Sequence, residues 1–208
     1  DGTCALQTGA LPYQAGTLGT MVNSLQAMTA GPQARTWTAA LALALLWNGD
    51  VAGATAALDE RTNPPKNYFW MAVTQVHGEV SAGLGLADRC AALFDALLPF
   101  RGRIGIVASG SLCYALVSRS LGELALALGR HDEGIELLEE SAAHADRVGM
   151  RFESVVSRRL LATAHVTAGR PAQAATTIDE AYDIALQYGF ARELTLIDEL
   201  RVAASTAP

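Results

Sequence analysis

Four histidines (His77, His131, His144, His165) and three cysteines (Cys4, Cys90, Cys113) are the side chains able to ligate a metal or attack a carbon centre. Their spacing argues against both uses. A zinc site draws Cys or His in pairs two to five residues apart, and no such pair occurs here. A thiol nucleophile needs a base and an orienting carboxylate within reach; for Cys113 these partners have to be chosen freely. Each cysteine sits among apolar neighbours (TCAL, DRCAALF, SLCYAL) and reads as a small buried hydrophobe in a reducing, cytoplasmic setting. GLGLAD (83–88) has glycines but no preceding strand, lysine or Ser/Thr, so it reads as a helix joint and not a phosphate loop. In the acidic run HDEGIELLEE (131–140) the charges fall opposite Ile135, Leu138 and Ala142, as on a solvated helix face, and Asp132 and Glu133 suit a helix N-terminus. The expectation is a chain that is not an enzyme and has neither metal nor cofactor.

One polar pattern survives this sorting. Gln75, Arg119 and Arg159 recur at intervals of 44 and 40 residues, and one helical turn further on so do Glu79, Glu123 and Thr163. Such a ladder does chemistry only if the segments carrying it are stacked. If they are, the six side chains line a shared groove for a ligand, peptide or partner protein. Unstacked, they are solvent-facing polar residues with an Arg119–Glu123 pair worth roughly 0.2–0.5 kcal/mol. A second candidate surface is the run Tyr68, Phe69, Trp70 after the bend TNPPKN, because three consecutive aromatics on a helix point in three directions. Trp37 and Trp47 read as packing residues.

Stacking is what the rest of the chain implies. Gly49, Gly85, Gly129 and Gly169 each separate two apolar-periodic segments, at spacings of 36, 44 and 40 residues, and the longest interval holds an inserted connection, PFRGRIGIVASG (99–110). Within it RIGIVAS (103–109) is either a short extended piece or a loop. Around Gly129, the residues Leu121, Leu124 and Leu128 precede the turn, and Ile135, Leu138 and Ala142 follow it at helical spacing. Asp132 is placed to cap the second helix, Pro171 to open the equivalent one, and Gly149 and Gly189 to end them. The expected fold is all-α, a right-handed superhelix of antiparallel helix pairs (an α-α solenoid). It comprises a helix near 17–29, pairs at about 33–60, 67–98, 112–148 and 151–188, and a capping helix at 190–204, in one domain spanning 1–208.

Composition narrows the partners. The 208 residues are 50% hydrophobic and carry a net charge of −6, enough apolar content for a sizeable core and too acidic for direct nucleic-acid binding. From Gly2 to Ala34 there is no charged residue, yet polar residues and glycine break every apolar run before the roughly 18 residues of a membrane span. No membrane association is expected. That stretch is expected to pack on this domain, on an absent part of a longer chain, or on a second copy in a homodimer. An opening Asp1 and the lack of a leader point to a fragment of a longer protein.

Leu121-Gly122, the Gly129 turn, then Gly134, Leu138 and Ser141 resemble a degenerate tetratricopeptide-repeat (TPR) signature, with Ala174, Ile178 and Ala181 one repeat on. Ala125 and His165 stand where the motif carries an aromatic, and Asp146 and Leu186 where it carries a closing proline. Residues 88–150, opening DRCAALFDALLPFRGRIGIV, are similar to the C-terminal helical-repeat regions of large actinobacterial LuxR-like and adenylate-cyclase-like ATPase regulators, and 14 Arg against one Lys agree with a high-GC source. This resemblance implies a sensor or protein-interaction domain of a transcriptional regulator. Its partners would be another protein, the flanking ATPase or DNA-binding modules of the same chain, or a small-molecule or peptide ligand. The alternatives are a structural oligomerisation arm and a small helical enzyme.

Overall fold

The computed structural model describes residues 12–31, 34–58, 69–107 and 112–206. Through them run α1 (Val22–Thr29), α2 (Ala34–Trp47), α3 (Val51–Ala57), α4 (Trp70–Gly83), α5 (Ala87–Leu97), α6 (Val117–Ala127), α7 (His131–Val148), α8 (Arg151–Thr167), α9 (Pro171–Tyr188) and α10 (Ala191–Thr206). Two short strands, β1 (Ile104–Val107) and β2 (Leu112–Leu116), stand between α5 and α6.

Glycine makes the joints. Gly129 and Gly149 have φ of 73° and 75°, a left-handed conformation that costs other residues energy. With glycine there, the next N–H reaches back to satisfy an orphan carbonyl of the ending helix, Arg130 to Ala125 and Met150 to Ala145. Gly169 and Gly189 repeat the device.

These tight joints fold consecutive helices against each other, α6 on α7, α7 on α8, α8 on α9 and α9 on α10. The first helices of the pairs also stack in sequence, α2 on α4, α4 on α6, α6 on α8 and α8 on α10. The result is an all-α helical-repeat solenoid. Small residues set its tightest crossing: a Cβ on Gly122 would lie 2.6 Å from Leu138 Cγ, and one on Gly134 2.7 Å from Leu126 Cδ2. One repeat on, Ala162 and Ala174 hold the equivalent places, both fully buried.

The core runs along the stack. Leu121, Leu124 and Leu137 pack with Cys90, Phe94 and Leu97, while Val155, Ala162, Ile178 and Ile197 form the next layer. In the described part of the uncharged N-terminal stretch, Tyr13, Leu18 and Leu25 are buried against Leu41, Leu43 and Val73 of α2 and α4. That segment therefore packs on its own chain.

Three details differ from expectation. The stretch 112–116 is a strand and α6 begins only at Val117, because IGIV and LCYAL pair antiparallel (Ile104 with Leu116, Ile106 with Cys113). Cys113, read as a buried thiol, lies exposed on that strand, whereas Cys90 is fully buried and burial raises its thiol to about 11. Cys4 lies outside the described residues. Asp132 does not cap α7: the cap is Arg130, with no side-chain hydrogen bond, and Asp132 instead binds Arg170 of the next joint at 2.8 Å. Pro171 is the first residue of α9.

Candidate functional site

Stacking α4, α6 and α8 brings much of the polar ladder into one seam. The Gln75 amide, buried in α4, donates to the Ala115 carbonyl at 3.1 Å and to Ser120 Oγ at 3.2 Å. Arg119 of α6 is 1% exposed. Its Nε donates to Glu153 Oε1 at 3.0 Å, and its NH1 lies 3.6 Å from Glu123 and 3.8 Å from Glu79. Glu79 accepts from the hydroxyls of Tyr114 at 2.6 Å and Tyr13 at 3.0 Å. Arg159 of α8 binds Glu193 of α10 at 2.6 Å. Side chains of Glu79, Glu123 and Arg159 keep 15–19% of their surface exposed, giving the seam a thin open edge. Thr163 is exposed on α8, its hydroxyl donating to the Arg159 carbonyl at 3.0 Å. The aromatic run stands apart from this seam. Phe69 is in the core, Trp70 packs on Phe100 with ring centres 5.3 Å apart, and Tyr68 lies outside the described residues.

Two of the most consequential residues were not in the ladder. Glu153 and Glu193 are each the third residue of a first helix, and each lies 34 residues beyond its arginine. Glu153 also accepts the Leu116 N–H at 2.7 Å, so one carboxylate caps the start of α6 and anchors Arg119 to α8. That 34-residue interval, met twice in the sequence, is the signal that finds them. Tyr13 and Tyr114 have no comparable signal, since they meet Glu79 only through the N-terminal segment and the hairpin.

The seam carries more negative than positive charge. Burial first, then neighbouring Glu79, raises the Glu123 carboxyl to about 7, against the opposing pull of Arg119 and Arg159. Glu123 Oε2 is buried and accepts no hydrogen bond among the described residues. Burial also lifts Glu153, although Arg119 and the Leu116 N–H hold it down. Burial works against the charge on Arg119, yet Glu153 and the other acids around it overcome that and hold it firmly protonated. Burial, then Arg89, lowers His77 to about 3, so its ring is neutral and its Nδ1 accepts from Arg89 at 2.9 Å.

Chemically, the seam can anchor or exchange charge partners. Among the described residues no three His, Cys, Asp or Glu side chains are grouped to hold a metal, and no helix is long and apolar enough to cross a membrane. Beside the seam, a pocket of about 380 Å³ opens between β2 and the α7–α8 joint, with Tyr114, Phe152, Glu153 and Phe190 among its walls.

Stacked helix pairs with glycine joints define the class, a helical-repeat solenoid. Within it, the tetratricopeptide repeat model matches residues 113–187, so this part of the chain, α6 to α9, is a tetratricopeptide-like repeat region. Repeats of this kind commonly mediate protein–protein interaction. No curated protein and no solved structure matches the chain.

Proposed function

We propose that the chain is the interaction arm of a cytoplasmic transcriptional regulator and captures a partner along the open edge of its polar seam. The observation that carries this reading is the convergence of Glu79, Glu123 and Arg159 from three successive first helices, each with a reachable edge. Arg119 holds Glu79 and Glu123 from beneath, and Thr163 stands exposed one turn beyond Arg159 on α8. The carboxylates outnumber the arginines, so the matching partner is a basic segment of another protein or of a flanking ATPase or DNA-binding module. The regulator role follows from the resemblance of residues 88–150, and it requires no catalysis by this domain.

The test is a peptide array of basic and acidic segments probed with the whole chain, followed by calorimetric titration of the hits. Basic peptides are expected to dominate. Thr163→Arg, at an exposed position, should weaken them about tenfold or more with an unchanged melting temperature. Acidic peptides in their place, or insensitivity to Thr163→Arg, would contradict the reading. A second reading, an oligomerisation arm forming a homodimer, is favoured by Leu186 and Tyr188, 59% and 48% exposed on α9. Light scattering showing a mass that rises with concentration would select it.

A further inference from the structure

The pocket at the α7–α8 joint combines features that the seam lacks. Its rim is exposed and polar, with Gln14, Cys113 and Arg151. Its inner wall is formed by the rings of Phe152 and Phe190 and by the carboxylate of Glu153, which is only 2% exposed. Both hydrogen bonds to Glu153, from the Leu116 N–H and from Arg119 Nε, fall on Oε1; among the described residues Oε2 accepts none. Glu153 lines the cavity, so an oxygen with no partner among the described residues stands where a ligand's donor can reach it. Arg119 does not neutralise it fully, because the same guanidinium is shared with Glu79 and Glu123. A water molecule entering the pocket supplies a donor, whereas a cation supplies a donor and the missing charge. Aromatic walls add a surface for an alkyl stem. Size limits the ligand: small-molecule sites run from about 300 to 1,000 Å³, so 380 Å³ admits one alkyl cation or one long side chain. Arg151 opposes a cation, but it stands on the exposed rim, where water and salt screen it, while Glu153 acts inside.

We propose that this pocket binds the charged end of an alkylammonium or alkylguanidinium group, with Glu153 Oε2 as acceptor and Phe152 and Phe190 flanking the stem. A free small amine and the lysine or arginine side chain of a partner peptide share this chemistry. The site goes beyond the seam and stands if the partner reading of the seam fails.

The experiment titrates the whole chain with n-butylammonium, 1-butanol and butyrate. Binding is followed by the amide shifts of Phe152, Glu153 and Phe190, and by alkylation of Cys113 with iodoacetamide, read as the Cys113 peptide by mass spectrometry. Butylammonium should bind about tenfold or more tightly than butanol, butyrate least, and bound butylammonium should slow Cys113 alkylation. Met150→Lys, which places an ammonium in the cavity from a residue outside the ion pairs, should remove butylammonium binding, while Met150→Leu and Thr163→Arg keep it. The peptide acetyl-Gly-Lys-Gly-amide binding more tightly than butylammonium assigns the source to a protein side chain; equal or weaker binding assigns it to a free amine. Butylammonium no tighter than butanol, butyrate tighter than either, or unchanged binding to Met150→Lys overturns the proposal.

Discussion

The joint between α6 and α8 and the joint between α8 and α10 carry the same ion pair one repeat apart, in different surroundings. Arg119–Glu153 is almost wholly buried, each side chain 2% exposed, with the ring of the hairpin residue Tyr114 5.8 Å from the Arg119 guanidinium and both Tyr114 and the N-terminal Tyr13 bonded to neighbouring Glu79. Arg159–Glu193 has the shorter contact, 2.6 Å, but 19% of Arg159 is open, and Glu193 also has Arg192 at 3.2 Å. The repeat supplies the pair, and non-repeated segments decide how much water reaches it. Burial makes the inner pair the costlier one to break, because a charge left behind there has little solvent to turn to. The outer pair keeps a replaceable partner. At the joint before both, Gln75 replaces the arginine and bonds the hairpin's own Ala115 carbonyl, since the insertion lies where the next helix start would otherwise be.

This contrast can be broken in order of size. Arg119→Ala should cost about 3–5 kcal/mol in urea denaturation, because it strands buried Glu153. Arg159→Ala should cost only about 1–2 kcal/mol, with Glu193 retained by Arg192. Equal losses would erase the distinction. Packing differs between the repeats in the same sense. Gly122→Ala, driven into Leu138, should cost about 1–3 kcal/mol, whereas Ala162→Gly one repeat on should cost about 1 kcal/mol, chiefly through helix propensity.

A pH series sharpens the electrostatic half of the contrast. The Glu123 carboxyl titrates near 4.5 when free and is raised to about 7 in the seam, so between those values the folded chain binds more protons than the unfolded one. Stability therefore falls as pH rises through that window and the loss is complete above it. Glu123→Gln should flatten the slope and add about 1–2 kcal/mol at pH 8, with little effect at pH 4. The exposed pair Arg170–Asp132 marks the other extreme: Asp132→Asn should change stability by less than about 0.5 kcal/mol.

How far the sequence reveals this depends on range. Glycine joints were legible because a left-handed residue after an apolar-periodic helix has few interpretations. The ladder was legible because helical period and repeat spacing agree. Glu153 and Glu193 escaped it because it followed positions ten residues before Gly129 and Gly169, while their partners lie at the start of the following first helix. Strand β2 was hidden inside an apolar run too short for its period to separate strand from helix. Cys113 shared those apolar neighbours, and only the pairing of β2 with β1 decides that its side of the strand faces out. Tyr13 meets Glu79 across 66 residues, a contact no local pattern announces.

The most direct measurement is a pair of double-mutant cycles in urea, Arg119→Ala with Glu153→Ala and Arg159→Ala with Glu193→Ala. A coupling energy at least about 1 kcal/mol larger for the inner pair is the expected result. Equal coupling, or a stronger outer pair, would contradict the claim that deeper burial gives one repeated ion pair two different roles.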